Sequence, residues 1–278
     1  MTNKGALYGR YFSIKASIFI YVDILLNGCI VNALKMRSVI IEGAVGCGKS
    51  TVLKAVQEKL GTKVMVQMEP LEIWRDYNGH NLLKNYYDNV SNASAGGCHA
   101  ASRNLQLVIM LTMAERYISF RQELKQNKKL KYHLLERSML CAKDVFIKGN
   151  KFSAIDKLIL HDYCNYFIDV CNEKSALKIY LKASMSTLEE RIRRRSRPEE
   201  LKRMTYMDQL TRQMDHWGWE NCHYILYTDD KTPEQLATEI ITIIMDEEKR
   251  GCAPVFCGTF FLMCIIGWSV VFLATSHL

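Results

Sequence analysis

Residues 43–50 read G-A-V-G-C-G-K-S and fit the pattern G-x-x-x-x-G-K-[ST]. A β-branched run, R-S-V-I-I-E at 37–42, comes immediately before, and 49–60 carries Val52, Leu53, Val56 and Leu60 at helical spacing. A buried strand that hands over through glycines to a helix N-terminus is the setting in which this pattern has a physical meaning. Glycines let backbone N–H groups wrap a phosphate, and the start of the helix adds partial positive charge. Gly43, Ala44, Val45, Gly46, Cys47, Gly48, Lys49, Ser50 and Thr51 are therefore the candidate cradle for a nucleoside triphosphate such as ATP. Lys49 is placed to reach the outer phosphates and Ser50 to hold Mg²⁺. Alone, the loop implies a bound triphosphate and nothing about its use.

The rest of the chain repeats the alternation. Strands are expected at 63–68, 131–135, 176–181 and 223–227, and helices at 103–123, from about 138, at 153–171, 186–195 and 232–248. Strands alternating with helices predict an α/β fold with a five-stranded parallel sheet covered on both faces. The polar, glycine-containing stretch 88–102 reads as a mobile loop. With 278 residues the chain can bury a sizeable core. Its formal charge of +8 suits an anionic ligand but is too mild and too dispersed to indicate nucleic acid as a partner. The 10 cysteines form no C-x-x-C pair or zinc spacing and read as reduced thiols of a cytosol-like compartment.

Both ends stand apart from this pattern. Residues 255–274 carry no charge and form an apolar run of about 20 residues, enough to cross a bilayer, behind Lys249 and Arg250. They predict a membrane tail anchor at 253–275, with the body of the protein, 36–250, in the cytoplasm. A buried C-terminal helix is the plainer reading. The extension 1–35 is apolar at 17–34 but interrupted by Asp23, Asn27 and Asn32, which disfavours a span. Its basic character fits a cleaved targeting peptide, mitochondrial targeting included; a working domain that starts near Met36 fits equally.

Three further segments carry charge at the ends of apolar elements. Glu69 closes the second strand, on the sheet edge where such folds bind ligands, and is followed by Pro70 and Trp74. It reads as a general base for a hydroxyl acceptor or as a capping glutamate. Glu136-Arg137-Ser138 closes the third strand. Its acid suits Mg²⁺ and its arginine suits anionic oxygens, with a structural ion pair as the alternative. The run 191–200, R-I-R-R-R-S-R-P-E-E, puts Arg191 and Arg195 on one helical face. Behind a phosphate loop it reads as a lid that clamps a transferring phosphoryl group; a solvated basic helix is the plainer alternative.

These pieces, in this order, resemble the deoxynucleoside kinase family: the deoxycytidine, deoxyguanosine and mitochondrial thymidine kinase type. The resemblance runs from about residue 36 to 248. It rests on the phosphate loop, E-P-x-x-x-W with G-x-N-L-L behind it, the glutamine of N-L-Q-L-V-I-M-L-T-M, E-R-S, and the arginine-rich lid ending in E-E. It implies ATP-dependent phosphorylation of a deoxynucleoside 5′-hydroxyl with Mg²⁺, and a homodimer built through a helix bundle. The long helix expected at 103–123, with Leu107, Met110, Leu111 and Ala114, is a candidate for that interface, and a core face explains it equally well. By the resemblance, Glu69 is the base, assisted by Arg137. Tyr87 and Glu200 hold the 3′-hydroxyl, Gln106 reads the base, and Trp74 and Phe146 wall it. Glu136 and Ser50 handle Mg²⁺, while Lys49, Arg191 and Arg195 stabilise charge, with Arg197 a weaker member. Where the purine- and cytidine-specific members have an arginine and an aspartate, this chain has Met113 and Ala142, which implies the thymidine-accepting, pyrimidine-preferring branch. Leu105 stands where an aromatic is usual, the loop between Tyr87 and Gln106 is longer than usual, and the tail is not part of the family pattern. Two other readings compete. In a thymidylate-type nucleoside monophosphate kinase, Glu69 would face the acceptor's phosphate and repel it. In a catalytically silent membrane-bound subunit, Lys49, Ser50, Glu69, Glu136 and Arg137 would have no purpose.

Overall fold

The computed structural model describes residues 37–91, 97–148, 152–197 and 204–252. Five strands form one sheet: β1 (Arg37–Gly43), β2 (Val64–Gln67), β3 (Tyr132–Glu136), β4 (Leu177–Lys182) and β5 (Tyr224–Tyr227). Their order is β2-β3-β1-β4-β5, and every pairing is parallel. β1 lies at the centre, and its Val39, Ile40 and Ile41 are fully buried, as a strand covered on both faces requires. Because every pairing is parallel, the C-terminal ends of β1, β2 and β3 lie along one edge of the sheet. Glu69, Glu136 and the phosphate loop all leave the sheet there.

The helices are α1 (Lys49–Leu60), α2 (Leu71–Arg75), α3 (Leu82–Ser91), α4 (Gly97–Gln126), α5 (Met139–Cys141), α6 (Ala154–Val170), α7 (Met185–Arg195), α8 (Met204–Asn221) and α9 (Pro233–Cys252). Local chemistry explains several starts. Ser153 and Ser184 accept from the backbone N–H groups of Asp156 and Thr187, the usual service of an N-cap serine. At α9, Thr232 and Gln235 cap each other reciprocally, at 2.8 and 3.3 Å, with Pro233 in the first helical position. A π-helical turn, Ala142–Ile147, follows α5. α8 meets the sheet through Gly218, where a Cβ would stand 2.5 Å from the ring of Tyr180 on β4.

The expectation of a loop over 88–102 is corrected: α3 runs to Ser91 and α4 starts at Gly97, so only 92–96 fall outside the described residues. Glycine, alanine and serine hide the periodicity there, but Ala101 and Ser102 are buried, and Arg103 pairs with Asp156 at 3.1 Å. Of the two faces expected for the apolar residues of α4, dimer interface or core, most take the core. Met110 packs into a core cluster with Met113, Met139 and Ala142, Leu107 packs against that cluster, and Leu111 is exposed. The sequence reading contained no helix over 204–221, where α8 runs. The chain divides into two units at Ile240–Ile241, within α9, and the described part of the second is the remainder of that helix. Among the described residues no helix is long and apolar enough to cross a membrane. The extension 1–35 and the run 253–275 lie outside them.

His133 of β3 is fully buried, stacked 3.9 Å from Phe120, and its Nε2 lies 2.7 Å from Oε1 of Gln67. Burial pushes its imidazole well below the usual histidine range, and the charge of Arg116 pushes the same way. An unfolded chain therefore takes up this proton near pH 6.5 while the folded chain does not. The contribution is fully present above that pH and is lost as pH falls, by up to about 1.4 kcal/mol per pH unit. Urea denaturation at several pH values between 7.5 and 5.5 should show this loss, and His133→Gln should flatten it.

Candidate active site

β1 ends in the phosphate loop. Gly43 has φ +142°, and a Cβ there would lie 2.5 Å from the Leu181 carbonyl oxygen of β4, so the loop leaves the sheet where only glycine fits. Lys49 is buried at the start of α1, and its Nζ donates to the carbonyls of Gly43 and Ala44 at 3.1 Å each. The same ammonium is 4.0 Å from Glu136. Ser50 donates to both carboxylate oxygens of Glu136 at 3.1 Å, and the backbone N–H of Glu69 reaches that carboxylate at 3.3 Å. The loop, the end of β2 and the end of β3 thus meet on one carboxylate.

Arg137 follows directly. Its backbone has φ +64°, a left-handed conformation that costs a side-chain-bearing residue about 1–3 kcal/mol. From there its Nε donates to Glu69 at 2.6 Å, and its guanidinium lies 3.8 Å from Glu42. Burial pushes Glu69 upward, but the charges of Arg137, Lys49 and Arg116 outweigh it and hold the group below the usual carboxylate range. Burial pushes Arg137 down, and the neighbouring carboxylates, Glu69 first, carry it well above its ordinary value. Glu69 is an ionised carboxylate, and Arg137 stays a cation beside it.

In front of this pair lies a cavity of about 560 Å³ shared by the phosphate loop and an apolar wall. Trp74 forms part of that wall. Its indole donates to Thr112 at 3.1 Å, and Thr112 in turn donates to the carbonyl of Val108, so α4 fixes the plane of the ring. Gln106 is buried in the lining, with its Oε1 unpartnered among the described residues. Phe146, delivered by the π-helical turn, has its ring 5.1 Å from the Arg137 guanidinium. Tyr87 and Ala142 also line the cavity. Leu105 sits in a cluster with Trp74, Tyr86 and Val108.

Most sequence-derived candidates converge here, but not all. Met113 is 1% exposed and belongs to the core cluster that includes Ala142, one layer removed from the lining. Arg191 and Arg195 both line the cavity, yet Arg191 is committed elsewhere: it donates to the Thr228 hydroxyl at 3.0 Å, the Thr228 carbonyl at 2.9 Å and the Cys47 carbonyl at 3.4 Å. It therefore ties α7 to the loop and to the end of β5. Arg194 and Arg197 join Arg195 in the lining, while Glu200 lies outside the described residues. Sequence reasoning missed Thr112, Tyr86, Arg116 and the wall formed by Thr228, Lys231, Pro233 and Leu236. Tyr86 is buried, with its hydroxyl 2.7 Å from that of Tyr206. Arg116 had a readable signal, a charge at a position of the buried α4 stripe that runs through Met113 and Phe120.

The sequence model of the deoxynucleoside kinase family matches residues 39–249. The chain belongs to the deoxynucleoside kinase family. It is 28% identical over 173 residues to human mitochondrial thymidine kinase 2, covering 60% of this chain and 58% of that protein. It is 46% identical over 48 residues to the thymidine kinase of Ictalurid herpesvirus 1 (strain Auburn), 17% of this chain and 21% of that protein. The match thus spans less than two thirds of these relatives' length. Among solved structures, the deoxyadenosine kinase from M. mycoides, with the products dCMP and a flexible dCDP bound, has a TM-score of 0.51 at 22% identity. It covers 75% of this chain and 99% of that one, a likeness of fold. The family match takes in the loop, Glu69, the Glu136-Arg137 pair and the arginine-rich helix, the pieces brought together around the cavity.

Proposed function

We propose that this member of the deoxynucleoside kinase family transfers the γ-phosphoryl group of ATP to the 5′-hydroxyl of deoxyribonucleosides, thymidine and deoxycytidine ahead of purine nucleosides. The observation that carries the reading is an ionised carboxylate, Glu69, held at 2.6 Å by Arg137 in the cavity that also contains the phosphate loop. Glu69 takes the 5′-hydroxyl proton through Oε2, the oxygen Arg137 does not hold. The 5′-oxygen forms a bond to the γ-phosphorus as the bond to the β-phosphate oxygen breaks, and ADP leaves. Lys49, Arg195 and the loop N–H groups offset the charge that spreads over the transferring group. Ser50 and Glu136 offer a hydroxyl and a carboxylate on one spot, a donor set that suits Mg²⁺. Bound there, Mg²⁺ would neutralise phosphate charge.

Gln106 offers the base paired hydrogen bonds, Trp74 and Phe146 its walls, and Tyr87, with Glu200, the contact to the 3′-hydroxyl. Ala142 at the lining, with Met113 behind it, leaves space for a thymine methyl and makes no demand for an exocyclic amine. A phosphorylated acceptor fits less well, because its phosphate would face Glu69. Glu69→Gln should lower kcat by about 10²–10⁴-fold with a small change in nucleoside binding, as expected for loss of a general base; turnover near wild type would refute the assignment. In a panel of the four deoxynucleosides, kcat/KM should rank thymidine and deoxycytidine first, and a preference for deoxyguanosine would remove the pyrimidine reading.

The same reading extends to assembly and location. Ile155, Leu158, Ile159, Tyr163 and Tyr166 form an exposed apolar stripe on α6, with Leu111 exposed on the neighbouring α4. A second copy meeting this stripe gives a homodimer through a helix bundle. The apolar run 255–274 supports anchoring by the C-terminus with the kinase on the cytoplasmic side, and the basic segment 1–35 supports mitochondrial targeting. Sedimentation velocity with and without liposomes tests both. A chain ending at 252 should lose liposome association yet remain dimeric, and Leu158→Glu in that chain should yield monomers.

A further inference from the structure

The ladder between β2 and β3 ends at the pair Gln67–Leu135, just short of the residues that do the proposed chemistry. One side chain spans the ends of both strands. Arg116 of α4 donates from one terminal nitrogen to the carbonyls of Gln67, Met68 and Glu136, at 3.3, 3.4 and 2.8 Å, and from the other to the carbonyl of Arg137 at 3.2 Å. It is buried, and among the described residues no carboxylate forms an ion pair with it. Its Nε has no hydrogen-bond partner among them either.

As a device for stability alone this is a poor choice. A buried guanidinium costs desolvation that an apolar side chain avoids, and an unpartnered Nε adds to the cost. Tyr117, the next residue, already fastens α4 to the sheet in an apolar cluster with Ile40 and Leu135. What a planar fork of donors can do, and an apolar residue cannot, is hold carbonyls from two strands in one fixed geometry. Those carbonyls belong to Met68, directly before Glu69, and to Glu136 and Arg137 themselves. Arg137 is then held at both ends of its left-handed backbone, by its N–H on the Ile41 carbonyl at 3.0 Å and by Arg116 on its own carbonyl.

We propose that Arg116 is a positioning residue for phosphoryl transfer: by clamping the C-terminal ends of β2 and β3, it holds Glu69, Glu136 and Arg137 at the spacing the reaction needs. It touches neither substrate nor reacting atoms and acts through those three. The inference rests on the kinase reading above.

The test uses the full chain with thymidine and deoxycytidine as acceptors. Arg116→Met should lower kcat by about 10²-fold while KM for ATP stays within about twofold, because the phosphate loop is carried by β1 and α1. Arg116→Lys, which keeps a donor cation, should recover about tenfold of that loss. In a Glu69→Gln background, Arg116→Met should cost less than about threefold more, since both changes act through one group. A purely structural role predicts the opposite: losses that multiply across the two changes, and no rescue by lysine. Either outcome overturns the inference, as does a folded Arg116→Met enzyme with kcat within about threefold of wild type. If Arg116→Met does not fold, Arg116→Lys alone and combined with Glu69→Gln decides by the same criteria. Failure of the kinase reading looks different, because the wild-type protein itself would then phosphorylate no deoxynucleoside.

Discussion

Arg137 takes a backbone conformation that arginine disfavours and, from it, donates to Glu69 at 2.6 Å while facing Glu42 at 3.8 Å. Around that contact the ends of β1, β2 and β3 gather three cations, Lys49, Arg116 and Arg137, and three carboxylates, Glu42, Glu69 and Glu136. Each charge alone would be expensive so far from water, and together they nearly cancel. Replacing such a set with apolar residues often leaves a protein as stable or more so, so stability does not account for it. In the proposed function it keeps a carboxylate ionised in a partly dry cavity beside the phosphate loop. The central sheet, the glycine exit at Gly43 and the turn at Arg137 all serve that arrangement.

The apolar half of the cavity is organised on another basis. Trp74, Tyr86, Leu105 and Val108 form a small cluster of their own, built from α2, α3 and α4, apart from the sheet core. The orientation of Trp74 depends on one hydroxyl, that of Thr112, which sits on the same helix as Gln106. In the proposed function, base wall and base reader are therefore both set by α4. Arg191 does the matching work on the other side, joining α7 to the loop and to the strand end at Thr228.

What could be read from the sequence was local. The phosphate loop is a contiguous pattern, and each buried strand is a short β-branched or apolar run, so the alternation and the sheet were legible. Glu69 and Arg137 were legible because each closes such a run. The missing parts depend on distance in space. The first turns of α4, G-C-H-A-A-S-R, show no apolar stripe, although Ala101 and Ser102 are buried. The π-helical turn that aims Phe146 leaves no periodic trace. Arg191 shares a helical face with Arg195, as spacing predicted, but its guanidinium is engaged by Thr228, a residue 37 positions away. Tertiary partners, not propensity, decide such cases.

The contact of Gly218 with the face of Tyr180 binds two positions to a common history. Tyr180 is nearly fully buried on β4, and its hydroxyl donates to Asp215 of α8 at 2.7 Å, so ring, glycine and carboxylate form one joint between helix and sheet. A side chain at 218 would collide with the ring at 180, and loss of that ring would leave Asp215 with its other partner, Lys182 at 3.7 Å. Substitutions at 218, 180 and 215 are therefore coupled through one joint, and their costs should not add.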